Sequence, residues 1–251
     1  MTASVLAGRV NISLAAYPGL AFHEAMDRAL RDAPEEPVLG KLQVQDTQLC
    51  PQNRGILTPE YADLLLNLYP GTRFRLHANV RVQPSRKILD WSSYGQDLDY
   101  WNALANMSRL LHAKAYTAHA GRRSEASLDD ILEFAKRAED LFDCPVGIEG
   151  HYPTPNDVFL ISHWEEYQKL FESGVNYVVD LSHLHIVAEQ SGRRESTLVQ
   201  EMLACERCIE VHVSGNDGTK DQHRTLSSEP WWWPLMEYIH PAATLFSEGI
   251  Q

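Results

Sequence analysis

Residues 175–183 read Val-Asn-Tyr-Val-Val-Asp-Leu-Ser-His, an apolar run rich in β-branched residues that ends in an aspartate and a histidine. A short run of this composition is typical of a strand that is buried on both faces. The stretch before it, residues 159–171, carries apolar residues at the spacing of an amphipathic helix. A helix, a buried strand and polar residues at the strand end form the repeating unit of α/β folds.

This unit recurs along the whole chain at a nearly even spacing. We predict eight strands, at residues 10–15, 41–45, 73–80, 113–118, 145–149, 175–181, 208–213 and 243–246. Amphipathic helices are predicted between them, at residues 22–31, 59–68, 98–112, 128–142, 159–171 and 196–204. Strands that alternate with helices pair in parallel through right-handed crossovers, and eight of them close into a (β/α)8 barrel. We therefore expect one TIM-barrel domain of the α/β class over residues 1–251.

The eighth helix of such a barrel is missing from the prediction, because the sequence ends at Gln251 soon after the eighth strand. An uncovered eighth strand would expose Leu245 and Phe246 to water, which is unfavourable for apolar side chains. We expect an N-terminal segment or a partner subunit, as in a homodimer, to cover this strand.

The charge of the chain restricts its partners. The formal net charge is −12 over 251 residues, and an acidic surface repels the phosphates that dominate nucleic-acid affinity. We therefore expect a small-molecule or peptide substrate and no nucleic-acid partner.

The cellular location is constrained by three further features. No apolar run is long enough to span a bilayer, so no membrane association is expected. Residues 1–10 resemble neither a signal peptide nor a transit peptide. Four cysteines in a chain of this length do not suggest a disulfide framework. A cytoplasmic location is the expectation.

Residues that can bind metal ions cluster at the predicted strand ends, where TIM-barrel enzymes place their active sites. Each one alone could be a capping or rim residue, but together they would repel or desolvate one another without cations between them. Mixed imidazole and carboxylate ligands suit iron, zinc or manganese. Their number suits two or three divalent ions, with Glu149 and Glu248 as bridges. The nine predicted ligands are His77, His119, Glu149, Asp180, His183, His212, Asp221, His223 and Glu248.

The order of these ligand types resembles that of the xylose isomerase-like barrel superfamily, which includes the family 2 AP endonucleases. Sugar isomerases and epimerases of this superfamily usually need only the set at Glu149, Asp180, His212 and Glu248. They commonly carry Asp-x-Arg where this chain has Asp-Gln-His at residues 221–223. The resemblance is therefore to the multinuclear branches, namely the trinuclear zinc endonucleases of the endonuclease IV type and the multinuclear non-haem iron enzymes that oxidise peptides.

Two stretches resemble the iron enzymes in particular. They are residues 179–188, and residues 210–215 with the later Asp-Gln-His at 221–223 and the tryptophans at 231–233. One departure is His183, where that family often has asparagine and the endonucleases favour histidine. The resemblance implies an iron-dependent oxidation of a small molecule or peptide. The alternatives are a zinc- or manganese-dependent hydrolase or phosphodiesterase, and a sugar isomerase or epimerase.

Five further residues beside the predicted ligands are candidates for catalysis. Arg122, Lys220 and Arg224 can bind an anionic substrate group, although each can equally be a solvated surface charge. His151 and His185 follow ligand positions closely, and we expect them to orient ligands or to transfer protons.

Overall fold

The computed structural model describes residues 8–85 and 89–251. Residues 1–7, on which most of the expectation about a leader peptide rests, lie outside the described residues. Eight parallel strands form one sheet. They are β1 (Val10–Ser13), β2 (Gln43–Leu49), β3 (Arg73–Leu76), β4 (Tyr116–His119), β5 (Val146–Glu149), β6 (Tyr177–Asp180), β7 (Cys208–Val213) and β8 (Thr244–Ser247). Their order in the sheet is β3-β2-β1-β8-β7-β6-β5-β4.

The sheet curls into a nearly closed barrel. Between the two end strands, β3 and β4, a single parallel bridge joins His77 to Thr117, and the Ala78 N–H donates to the Thr117 carbonyl at 2.9 Å. All eight predicted strands are present, and the prediction of a (β/α)8 TIM barrel is confirmed. The helices are α1 (Phe22–Asp32), α2 (Pro59–Leu68), α3 (Leu98–Leu110), α4 (Leu128–Phe142), α5 (Trp164–Glu172), α6 (Leu181–Ser191) and α7 (Ser196–Ala204).

Helix α6 was not predicted, and α5 begins five residues later than predicted. The chain passes from β6 into α6 with no loop between them, because Asp180 ends the strand and caps the helix. Its Oδ1 atom accepts the N–H groups of Ser182 at 2.7 Å and His183 at 3.1 Å. Without a turn residue to mark the boundary, the apolar sequence at this point resembled the end of a strand.

No helix follows β8 in the described part of the chain, as predicted. A short hairpin, Glu35–Glu36 paired with Gly40–Lys41, contacts the end of this strand instead. The buried Glu36 carboxylate accepts hydrogen bonds from the Ser247 hydroxyl and from the Leu226 N–H at 3.1 Å. Leu245 and Phe246 are buried within the single chain, at 1% and 0% exposure. A partner subunit at this position stays a prediction.

The loops at the carboxyl ends of the strands are held in place by close packing. After β5, the chain passes Gly150, where a Cβ atom would overlap the ring of the buried Tyr167. The Tyr167 hydroxyl donates to the His151 carbonyl at 2.7 Å. Glycine at position 150 therefore lets the segment after Glu149 lie directly against α5. Among the described helices, none is both long and apolar enough to cross a membrane.

Replacing Gly150 with alanine should destabilise the barrel, because the new methyl group must displace the Tyr167 ring from a filled core. We expect Gly150→Ala to lower the free energy of unfolding by about 1–3 kcal/mol, measured by urea denaturation. Gly71→Ala is the matched control, because nothing lies within 4 Å of the position of its added Cβ. Equal stability of the two variants would contradict this account of Gly150.

Candidate metal centre

All nine predicted ligands lie at the carboxyl-terminal mouth of the barrel, at the ends of β3 to β8 or just beyond them. Seven of them form three groups in which the ligand atoms lie within 4.8 Å of one another, a geometry that can hold a metal ion, whereas Asp221 and His223 belong to none of these groups. The groups are His77 with His119 and Glu149, His77 with His212 and Glu248, and Glu149 with Asp180 and His183.

Glu149 lies at the centre of the cluster. Its Oε2 atom is 3.2 Å from His212 Nδ1 and 3.5 Å from His77 Nε2. Its Oε1 atom is 3.6 Å from His119 Nε2, and His183 lies at the same distance through its Nδ1 atom. A carboxylate has two oxygens to share, so Glu149 can contact ions on either side.

Asp221 and His223 close the other side of the cluster. Asp221 Oδ2 is 2.7 Å from His223 Nε2 and 3.7 Å from His183 Nε2. His223 Nδ1 is 3.7 Å from Glu248 Oε2. The loop after β7 therefore brings both residues against ligands from β6 and β8, as expected for an Asp-x-His pair.

Two of the imidazoles are oriented by neutral groups. His77 Nδ1 contacts the Thr117 hydroxyl at 3.0 Å, which leaves Nε2 directed at Glu149. His183 Nδ1 contacts the Gly150 carbonyl at 2.9 Å, which leaves Nε2 directed at Asp180 and Asp221. Metal-binding histidines characteristically donate their second ring N–H in this way.

His119 faces a carboxylate that sequence reasoning missed. Asp90 is buried, and its Oδ1 atom lies 3.6 Å from His119 Nδ1 and accepts from the Asn79 amide at 3.2 Å. The adjacent Trp91 fixes this segment by donating its indole N–H to the Gly147 carbonyl at 3.1 Å. Asp90 lies in the connection between β3 and α3, away from any strand end, so strand-end reasoning could not identify it.

Several buried polar atoms of the cluster have no hydrogen-bond partner among the described residues. Such atoms are rare in folded proteins and need an explanation. Here they are atoms of four predicted ligands, which contact one another across the cluster. Cations bound in the cluster would give such atoms partners. The atoms are Glu149 Oε2, His212 Nδ1, Asp221 Oδ1 and His223 Nδ1.

The electrostatics of the cluster combine burial with strong pairing. Burial lowers the pKa of His77 to about 3. Burial also opposes charge on His212, but the Glu149 and Glu248 carboxylates outweigh it and raise the pKa of His212 well above its usual range. Burial raises the pKa of Glu248. In this cluster, buried carboxylates and imidazoles therefore compensate one another's charge.

Thiolate is absent from this donor set. Cys50 is buried near the cluster with its Sγ atom 3.1 Å from the Ser13 hydroxyl, and burial raises its pKa to about 12. The thiol therefore stays protonated at neutral pH. Imidazole and carboxylate are the donors that the described residues offer.

His151 and Arg122 lie on one side of the cluster. The His151 ring is buried and stacks on His119 at 4.9 Å and on Phe159 at 4.2 Å between centroids. Burial lowers the pKa of His151 well below its usual range, so the ring is neutral. The exposed Arg122 guanidinium lies 5.6 Å from the centroid of the Phe159 ring.

His185 and Arg224 lie at a different place from His151. They line a cavity of about 230 Å³ whose wall also includes Ser214 and Trp232. Burial lowers the pKa of His185, and its charged neighbours are not predicted ligands. Lys220 is exposed in the loop after β7. His185, Lys220 and Arg224 therefore lie apart from the other two candidates, His151 and Arg122, which lie on the His119 side of the cluster.

No family model matches the chain, and no curated protein matches it. Solved structures with the same fold do match. A D-tagatose 3-epimerase-like protein is 12% identical with a TM-score of 0.69, covering 96% of this chain and 91% of that one. A family 2 AP endonuclease from Brucella melitensis is 12% identical with a TM-score of 0.63, covering 96% and 92%.

An IolI protein with a bound zinc atom is 10% identical with a TM-score of 0.63, covering 95% of this chain and 88% of that one. At such low identity these likenesses establish the fold alone. They confirm the fold that the sequence resemblance implied: the chain has the fold of the xylose isomerase-like TIM barrels.

Proposed function

We propose that this protein is a metal-dependent enzyme that holds two or three divalent ions in the nine-residue cluster and, with iron, oxidises a small-molecule or peptide substrate. The observation that carries the proposal is the position of Glu149. Its two oxygens lie within 3.2–3.6 Å of nitrogens from three histidines, it also belongs to the group with Asp180 and His183, and Oε2 has no hydrogen-bond partner. A carboxylate placed in this way suits a bridge between ions.

The composition of the ligand groups supports iron. Two of the three groups combine two imidazoles with one carboxylate, which is the donor set of many non-haem iron(II) oxygenases. Bound iron would supply redox chemistry with oxygen. The sequence resemblance at residues 179–188 and 210–215 favours the same metal.

The residues around the cluster would bind the substrate. His151 is neutral and has a buried Nε2 atom with no partner among the described residues, so this atom can form a hydrogen bond with a substrate group at the cluster. Arg122 can orient an anionic group on the same side. We propose that His185, Lys220 and Arg224 contact the part of a larger substrate that extends past the loop after β7.

A zinc- or manganese-dependent hydrolase is the second candidate. Two imidazoles with one carboxylate also hold the catalytic zinc of several hydrolases, and the IolI structure contains zinc. His183 favours this candidate, because its Nε2 atom points at Asp180 and Asp221 and can fill a ligand position. A sugar epimerase, as in the D-tagatose 3-epimerase-like structure, needs fewer ligands than this cluster offers.

We also propose a cytoplasmic location, because all four cysteines are free, as expected in a reducing compartment. We further propose that the protein forms a homodimer.

Iron should support oxygen-dependent turnover and zinc should not. Metal-free protein is loaded with ferrous iron or with zinc and incubated with small-molecule and peptide mixtures under air and under argon. Mass spectrometry follows the products. We expect oxidised products only with iron and air, and loss of both iron and products in Glu149→Gln. The matched control is Glu166→Gln, because Glu166 pairs with Arg123 and not with a predicted ligand.

Full activity of the zinc-loaded protein under argon would contradict the oxidative function and favour the hydrolase. Absence of any bound metal in the wild-type protein would contradict both.

Duplex DNA should not bind this protein, because its net charge of −12 opposes phosphate binding. Fluorescence anisotropy with a labelled duplex, at low and at physiological salt, tests this directly. We expect no binding at micromolar protein in either buffer. Tight binding that weakens steeply with salt would reveal a phosphate-binding surface and would support the endonuclease alternative.

A further inference from the structure

The layer of side chains directly below the cluster, inside the barrel, is polar. TIM barrels usually fill this space with valine, isoleucine and leucine. Here Gln48 from β2, Arg75 from β3, Thr117 from β4 and Glu210 from β7 occupy it, and all four are buried. A polar layer at this depth needs a reason, because it replaces side chains that would pack without desolvating charge.

Glu210 is the centre of this layer and is fully buried. Its Oε1 atom accepts from the Arg75 guanidinium at 2.9 Å. Its Oε2 atom accepts from the Gln48 amide at 2.7 Å and lies 3.0 Å from His212 Nε2. Arg75 compensates the charge of Glu210, and Glu210 contacts the His212 ring on its Nε2 side.

The two nitrogens of His212 face different partners. Nδ1 faces the cluster, 3.2 Å from Glu149 Oε2 and 3.9 Å from Glu248 Oε1, whereas Nε2 faces Glu210. A neutral imidazole carries one hydrogen, and an ionised carboxylate can only accept it. Both nitrogens face a carboxylate, but Glu210 Oε2 is closer to Nε2, at 3.0 Å, than Glu149 Oε2 is to Nδ1, at 3.2 Å. The shorter contact favours the hydrogen on Nε2, which leaves the Nδ1 lone pair directed at the cluster.

Gln48 competes for the same nitrogen, because its Nε2 atom is 2.8 Å from His212 Nε2. If the Gln48 amide donated to His212, the ring hydrogen would lie on Nδ1 and block coordination there. The amide carries two hydrogens, of which Glu210 accepts one at 2.7 Å. A ring hydrogen on His212 Nε2 in turn has the charged Glu210 carboxylate as its acceptor, at 3.0 Å. A hydrogen bond to a charged acceptor is also the stronger one.

Stability does not explain the buried Arg75–Glu210 pair. The desolvation of two buried charges offsets much of their attraction, and apolar replacements of such pairs are often neutral or stabilising. The pair instead contacts one predicted ligand, His212, through Glu210. We infer that Glu210, held by Arg75, is a positioning residue that keeps the hydrogen of His212 on Nε2 and opens Nδ1 to a metal ion. This inference rests on the metal binding proposed above.

Zinc is a suitable probe, because it is diamagnetic and needs no substrate. Chelator competition measures the affinity of each zinc ion for the wild-type protein and for Glu210→Gln. We expect the affinity of at least one ion to fall by about 10- to 100-fold, as for other residues that orient metal-binding histidines. The matched control is Asp46→Asn, because Asp46 contacts Arg75 and Arg73 but not His212. Its zinc affinity should equal that of the wild-type protein.

A second variant separates positioning from folding. Replacing the pair together, in Arg75→Met with Glu210→Met, should leave a folded protein by circular dichroism and thermal unfolding but should lower zinc affinity as Glu210→Gln does. Nitrogen-15 spectra of zinc-loaded wild-type protein should show His212 with its hydrogen on Nε2.

Unchanged zinc affinity in folded Glu210→Gln and in the folded double variant would overturn the inference, as would a His212 hydrogen on Nδ1. Both results leave the proposed function intact, because the wild-type protein still binds zinc. Failure of the wild-type protein to bind any ion would overturn the proposed function and this inference together.

Discussion

The structure depends on one constraint, which is the burial of many charged groups at a single point. Glu149 and Asp180 are almost wholly inaccessible to solvent, and carboxylates in that position are strongly unfavourable unless cations or imidazolium groups lie beside them. The barrel creates this problem because all eight strands are parallel and end at the same mouth. It also permits the solution, since ligands from β3 to β8 reach the same few ångströms.

The imidazoles of the cluster are oriented individually from outside it. His77 contacts the Thr117 hydroxyl, His183 the Gly150 carbonyl and His119 the Asp90 carboxylate. Thr117 lies on β4, Gly150 follows β5, and Asp90 lies in the long connection between β3 and α3. The arrangement is therefore a property of the whole barrel mouth and not of a single motif. It also means that substitutions outside the predicted ligands can alter the cluster.

The barrel strands and the convergence of the nine candidate ligands could be predicted from the sequence, because both follow from simple rules about parallel strands. Buried parallel strands are continuous apolar runs, and polar residues at their ends must converge. Helix α6 escaped prediction because Asp180 both ends the strand and caps the helix, so no turn residue separates them. The hairpin beside β8 has no apolar periodicity, so only the fold reveals its contact with Ser247 at the end of that strand.

Asp90 and the buried polar layer that contains Glu210 were not predicted, for different reasons. Asp90 is brought to His119 by a long connection, and no local pattern encodes that approach. Glu210 had a visible signal, because a glutamate inside an otherwise apolar strand is unusual for a barrel interior. We considered only His212 as a functional residue of that strand and therefore missed its partner Glu210, two positions earlier.

The cluster is asymmetric in charge, and this bears on its chemistry. The two groups that contain His77 each offer two imidazoles and one carboxylate, whereas the group at Asp180 offers two carboxylates and one imidazole. Asp221 adds a further carboxylate near His183, with Oδ2 3.7 Å from its Nε2 atom. Under the proposed function, an ion held near Asp180 would therefore meet more carboxylate charge than one held near His77. His151, stacked on His119, lies on the imidazole-rich side.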